Sequence, residues 1–134
     1  MMLRITEAVL HEMIAHARRD LPDEACGYLG EKNGLVSRIH PMTNADASPE
    51  HFSLLPAEQF AVLRTFRAEG FRLAGVYHSH PETPARMSDE DIRLLVDPAL
   101  SYVIVSLEKP EAAVKAFTVG GGVKEQDMVV VGEN

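Results

Sequence analysis

The chain has one cysteine, no tryptophan, and fewer basic than acidic side chains. A lone Cys26 has no partner for an intramolecular disulfide and cannot furnish a cysteine-rich zinc site. It also excludes zinc-deaminase chemistry, which requires a Pro-Cys-x-x-Cys pair. With 13 basic against 20 acidic residues, the formal net charge is −7. That balance disfavours nucleic acid as a partner, because sequence-independent binding draws on clustered Lys and Arg. No apolar run approaches the roughly 20 residues that cross a bilayer, so no membrane association is expected. The charged N-terminal stretch is unlike a signal peptide, and a cytoplasmic protein is the expectation. No internal repeat or low-complexity tract is present.

What is present suits one α/β domain spanning residues 1–134. The 134 residues are 46% hydrophobic, enough for a core at ordinary domain size. From Thr6 to Arg19, the residues Val9, Leu10, Met13, Ile14 and Ala17 share one helical face, with Thr6 placed as N-cap. Cys26–Gly30 and Leu35–His40 read as strands joined through Lys32-Asn33-Gly34, a hairpin signal. Residues 41–50 are a loop, and Phe52–Leu54 a short strand. Pro56 opens a second helix with Phe60, Leu63 and Phe66 periodic, closed by Gly70. Leu73–Tyr77 is a buried-strand candidate. Ser88 starts a short helix with Ile92, Leu95 and Val96 apolar. Tyr102–Leu107 is a strand rich in β-branched and aromatic residues. Ala112–Val119 and Val123–Val131 form a last hairpin. Helices alternating with strands early, and strands pairing late, predict a mixed β-sheet sandwiched by helices.

The chemistry concentrates in residues 78–91. His78 and His80 are two apart, so at a strand end both imidazoles point to one side. Asp91 follows Ser88 by three, which places it in the first turn of a helix capped by Ser88. Two imidazoles and a carboxylate are a sound ligand set for zinc, and three protein ligands leave a fourth position open. Each half alone has a plainer reading. Ser-x-x-Asp is close to a helix capping box, and His-x-His occurs on many surfaces. A strand, His-x-His-Pro, a Pro-rich turn and Ser-x-x-Asp opening a helix have little structural reason to occur together.

His78-x-His80-x7-Ser88-x2-Asp91 resembles the JAMM (MPN+) metalloprotease motif. Glu24, in Pro22-Asp23-Glu24-Ala25-Cys26-Gly27-Tyr28, matches the glutamate that this family carries after its first helix. The resemblance implies a cytidine-deaminase-like MPN/JAMM fold and one Zn2+ per chain on His78, His80 and Asp91. It implies Glu24 as the general base that carries a proton to the leaving amine. Ser88 would donate to the developing oxyanion or hold the site's geometry. Met87 stands where many members have proline, so altered loop rigidity is expected. The short chain resembles prokaryotic members acting on ubiquitin-fold sulfur-carrier proteins. The implied activity is hydrolysis of a peptide or isopeptide bond at a C-terminal Gly-Gly tail, with the tail adding as a strand beside an exposed sheet edge. The alternatives are a non-catalytic interaction module of the same fold and a related zinc amidohydrolase with another substrate.

Other candidates carry less. In His11-Glu12-Met13-Ile14-Ala15-His16 the histidines are five apart, about 140° around a helix, so they do not form the helical zinc-protease pair. Both are read as surface residues. Cys26 in an apolar strand is read as a small buried hydrophobe. Gly120-Gly121-Gly122 is a turn, since no Lys-Ser/Thr follows it. Loop residues 41–54, including His51-Phe52, are placed at the border of a substrate groove.

Overall fold

The computed structural model describes residues 2–132. The elements run β1 (Met2–Thr6), α1 (Glu7–Arg19), β2 (Cys26–Lys32), β3 (Leu35–Met42), α2 (Pro56–Ala68), β4 (Arg72–His80), α3 (Asp89–Leu94), β5 (Ser101–Ser106), β6 (Ala113–Thr118) and β7 (Lys124–Val131). The spatial order is β1-β3-β2-β4-β5-β6-β7, and the sheet curls until β1 also pairs with β7. The β4–β5 pair is parallel, whereas β2–β3, β2–β4, β5–β6 and β6–β7 are antiparallel. The expected mixed sheet with helices on both faces is the observed architecture.

Local chemistry accounts for the element ends. The Thr6 hydroxyl accepts from the Val9 amide at 3.1 Å and caps α1, satisfying one of the orphan donors of the first turn. Asn33 and Gly34 both take positive φ, the conformation that a tight two-residue hairpin demands. Pro56 enters α2 at its first turn, where a missing N–H costs nothing.

Strand alternation divides the core into two layers. On one face Tyr77, Val103 and Val105 pack with Leu3, Ile5, Leu29 and Val36 under Val9, Met13 and Ala17 of α1. On the other, Val76, Tyr102 and Ile104 pack with Tyr28, Met42 and Phe117 under Val62 and Phe66 of α2. A fully buried aromatic such as Phe66 contributes about 1.5–3 kcal/mol of hydrophobic stabilisation. Gly75 lets parallel β4 and β5 approach closely. A β-carbon there would lie 2.3 Å from the Ser101 carbonyl oxygen.

Four sequence expectations change. Met2–Thr6 forms a strand that its short, mixed sequence did not announce. Phe52–Leu54 is not a strand; a bond from the Ala45 amide to the Ser53 carbonyl is its nearest approach to one. On α2 the buried pair is Val62 and Phe66, while Phe60 is 71% exposed and Leu63 also faces outward. On α3 the buried residue is Asp91, and Ile92 and Val96 are exposed. Phe66 and Leu95 pack inward as expected, while the rest of each buried side is chosen by the sheet and not by apolar counting.

His16 is also a correction, because it is buried. It lies seven residues after Val9 and three after Met13, on the apolar face of α1. Its Nε2–H donates to Asp20 at 3.1 Å, and its Nδ1 accepts from the Tyr77 hydroxyl at 2.7 Å. A satisfied core histidine thereby props the strand that carries His78.

Cys26 has no exposed surface, and burial pushes its thiol up to about 12. Reactive thiols need access and a stabilised thiolate, and Cys26 has neither. Iodoacetamide should therefore leave Cys26 unmodified in the native protein at pH 8 and label it after denaturation. Intact mass before and after unfolding checks this.

Candidate metal centre and active site

Three segments meet at one end of the sheet. β4 delivers His78 and His80 on the α2 face, with Val76 two residues before them, while Tyr77 and Ser79 turn to the α1 face. The start of β2 lies alongside, with Cys26 opposite His78. The Ser79 amide donates to the Ala25 carbonyl at 2.9 Å, and the Ala25 amide donates to the Ser79 hydroxyl at 2.7 Å. This pair of bonds fixes Glu24, one residue upstream, against the histidine strand. The third segment is the turn after Pro81, which brings Ser88 and α3 back over β4.

His78 Nε2, His80 Nε2 and Asp91 Oδ2 form a nearly equilateral triangle. The nitrogens are 3.2 Å apart, and the oxygen lies 3.2 Å from one and 3.1 Å from the other. All three residues are buried. Tetrahedral zinc with bonds near 2.0–2.1 Å spaces its ligands about 3.3 Å apart. The donor set and its spacing fit that ion.

The tautomer of His80 follows from its second nitrogen. Nδ1–H donates to the Pro84 carbonyl at 2.8 Å, which leaves Nε2 facing the site. This is the usual way a ligating imidazole is aimed. His78 is different: its Nδ1 is buried without a partner. Its ring instead lies against Phe52, with centroids 4.9 Å apart and planes 27° from parallel.

Ser88 and Asp91 form a complete capping box. The Asp91 amide donates to Ser88 Oγ at 3.0 Å, and the Ser88 amide donates to Asp91 Oδ2 at 3.1 Å. The structural and chemical readings of Ser-x-x-Asp therefore coincide, because the carboxylate oxygen held by the cap is the one facing the histidines. Oγ is used there as an acceptor, so its own proton remains available for donation.

Electrostatics follow from burial and pairing. Burial raises Glu24 to about 8; His80 opposes that shift, and Asp91 and Glu90 reinforce it. Burial alone would raise Asp91, but hydrogen bonds from His78 and His80 hold it far below the usual carboxylate range. Burial lowers His78 against the pull of Asp91. Burial acts the same way on His80, yet the bonds to Asp91 and to the Pro84 carbonyl carry it upward. Glu24 Oε1 and His78 Nδ1 are the two buried side-chain polar atoms left unpaired among the described residues. Both belong to this site. An orphaned polar atom costs about 1–3 kcal/mol, so such atoms mark places where a missing group is accommodated.

A groove of about 300 Å3 opens over the site, lined by Glu24, Pro49, Glu50, His80, Glu82, Thr83 and Ser88. Pro49 and Glu50 of the loop at 41–54 border it, and His51 and Phe52 are not among its lining residues. No free sheet edge exists beside the histidines, since β4 is bonded to β2 on one side and β5 on the other. A substrate tail therefore cannot add to the histidine strand itself. One wall of the groove is the turn after His80, tied down by the Ser106 hydroxyl donating to the Thr83 carbonyl at 2.6 Å. Met87, standing where many family members have proline, is buried with Ala85 in the α2-side core and anchors the same turn.

Sequence reasoning passed over Asn44 and gave Phe52 no contact with the histidines. Asn44 Nδ2 donates to the Glu24 carbonyl at 3.1 Å and to the His51 carbonyl at 3.0 Å. The signal for Asn44 was only that of a turn former in a loop. For Phe52 it was an aromatic beside a histidine, which suggested a groove margin and not a stack.

The family model of prokaryotic homologs of the JAB domain matches residues 6–119. A CysO-cysteine peptidase from Mycobacterium tuberculosis is 38% identical over 133 residues, covering 96% of this chain and 91% of that protein. A probable TtuB-protein conjugate cleaving protease from Thermus thermophilus is 34% identical over 97 residues, 69% of this chain and 63% of that protein. A solution structure from Desulfitobacterium hafniense is 44% identical with a TM-score of 0.90, covering 98% of this chain and 94% of its own. A JAB1/MPN domain protein from Archaeoglobus fulgidus shares the fold at 21% identity and a TM-score of 0.63, covering 96% and 98%. The chain is a hydrolytic enzyme, and it belongs to the prokaryotic branch of the JAB (JAMM/MPN) domain family.

Proposed function

We propose that residues 1–134 form a single zinc-dependent peptidase or isopeptidase domain. Its substrate is the bond following the C-terminal Gly-Gly tail of a ubiquitin-fold sulfur-carrier protein. The observation that carries this reading is the buried triangle of His78, His80 and Asp91 with the unpaired Glu24 beside it. The names of the mycobacterial and Thermus relatives support a small-protein conjugate as the substrate. The groove supports it too: it holds only about 300 Å3, and a glycine tail needs no pocket for side chains. With no free sheet edge at β4, the tail lies between the loop at Pro49–Glu50 and the turn at Glu82–Thr83.

His78, His80 and Asp91 would hold the metal. When bound, zinc lowers the pKa of a water to about 7 and polarises a carbonyl oxygen. Glu24 takes the proton from the attacking water and returns it to the leaving amine. Without metal, burial raises this carboxyl to about 8; the charge of a bound cation beside it would favour its ionised, proton-accepting form. Ser88 donates its hydroxyl proton to the oxyanion, while its backbone amide keeps hold of Asp91. The Ala25–Ser79 bonds and Asn44 keep the Glu24 backbone fixed while its proton moves.

The decisive experiment mixes the zinc-loaded protein with a ubiquitin-fold carrier extended beyond its Gly-Gly by an amino acid. Intact mass should show loss of the extension, and an added chelator should stop it. An unchanged carrier mass with the loaded enzyme would remove the carrier assignment.

Glu24→Gln should retain stoichiometric zinc and lose about 10²–10⁴ in turnover, the usual contribution of general acid–base catalysis. Metal analysis and the mass assay on the same sample check both halves. Full activity in this variant would take Glu24 out of the mechanism.

The same substitution has a signature in stability. In the metal-free protein the folded-state pKa of Glu24 lies above its unfolded value of 4.5, at about 8. From pH 4.5 to 8 the unfolded chain ionises this group and the folded chain does not, so stability falls across that window and levels off above it. Metal-free Glu24→Gln should therefore gain in thermal midpoint relative to wild type as pH rises from 5 to 9. Melting curves in chelator at the two pH values measure it.

A further inference from the structure

We propose that Phe52 is a positioning residue for the zinc ligand His78, and that loop 43–55 is built to hold it there. The inference rests on the zinc-site reading above and assigns a role that the ligand set does not contain.

The argument begins with the asymmetry of the two histidines. His80 is oriented by a hydrogen bond from Nδ1–H to the Pro84 carbonyl. His78 Nδ1 is buried and has no partner, so no hydrogen bond from outside the ligand triangle sets the rotation of its ring. A ligating imidazole free to rotate about its Cβ–Cγ bond would carry Nε2 out of the triangle. The ring of Phe52, stacked at 4.9 Å, occupies the face into which that rotation would sweep. Packing here does what a hydrogen bond does at His80.

The loop is organised around that contact. The Glu24 amide donates to the Ser48 carbonyl at 2.8 Å, and Asn44 Nδ2 returns a bond to the Glu24 carbonyl. Asn44 also holds the His51 carbonyl, immediately before Phe52. Asp46 grips both flanks of Phe52, taking His51 Nδ1 at 2.9 Å and the Ser53 hydroxyl at 2.8 Å. Exposed by themselves, these bonds contribute little to global stability. Their effect is local: the residues on either side of Phe52 are tied to one carboxylate, and the loop is tied to the backbone of Glu24. A single segment thus registers Glu24 and His78 against each other.

Two measurements on Phe52→Leu, Phe52→Ala and Phe52→Tyr test this. The first is NMR of the His78 imidazole in metal-free protein. Its ring protons should be shifted upfield in wild type and Phe52→Tyr, and lose that shift in Phe52→Leu and Phe52→Ala. The second is zinc affinity by competition with a chromogenic chelator, without turnover. Leucine and alanine should weaken zinc by about 10–100-fold, the usual effect of removing the support of a ligand, and tyrosine should bind within a few-fold of wild type. The metal-free thermal midpoints should stay close together. Unchanged zinc affinity in Phe52→Ala, or a tyrosine variant as weak as alanine, would overturn the proposal. So would a collapse of the metal-free midpoint that accompanies the loss of affinity. If wild type takes up no zinc, the metal reading of the site fails, while the ring shifts still decide whether Phe52 holds His78.

Discussion

Two hydrogen bonds between Ala25 and Ser79 set the geometry on which the site depends. They close the start of β2 onto the end of β4, at distances of 2.9 and 2.7 Å. Ser79 faces the α1 side of the sheet, so its immediate neighbours must face the other, and those neighbours are His78 and His80. Ala25 is likewise preceded by Glu24, just outside the strand. Alternation along β4 and along the residues entering β2 therefore sorts five residues: the clasp faces one way and the chemistry faces the other. The clasp uses a side-chain hydroxyl where β2 has run out of backbone to pair, which is why serine at 79 is a structural requirement and not a spare nucleophile.

Burial then gives the clustered groups their character. Carboxylates and imidazoles taken out of water must find partners or change protonation state. Asp91 finds partners in both histidines and in the Ser88 amide, and stays ionised. Glu24 finds none for one oxygen and is pushed toward neutrality. Two acids in one small volume are thus driven apart, one into a fixed anion and one into a group that trades protons. Position relative to the histidines, and not residue type, makes the difference.

Much of this was legible in the sequence, for identifiable reasons. The spacing of His78, His80, Ser88 and Asp91 is local, and strand alternation plus a helix cap are short-range rules that hold over a dozen residues. The hairpin at Asn33-Gly34 and the cap at Thr6 are of the same kind. The parts that stayed hidden depend on distant neighbours. His16 looks like a surface residue until Tyr77, sixty-one positions away, supplies a hydroxyl. Phe60 looks like core until the sheet selects the other side of α2. Met2–Thr6 becomes a strand because β7 lies alongside. Phe52 stacks on a histidine that no local pattern connects to it.

The closure of β1 against β7 has a consequence for how the molecule is made. Residues 2–6 are registered against residues 127–131, so β1 finds its long partner only after β2 to β6 have been made. Pairings that span such separations pay loop entropy before they return any contact energy, and folding slows accordingly. Until that seam forms, β1 is held chiefly by α1 and a single bridge to β3, and the apolar layer under α1 lies open along one side. During synthesis on the ribosome, the histidine strand and its clasp can form well before the sheet that encloses them is sealed. β7 contributes nothing to the site directly; it closes the wall behind it.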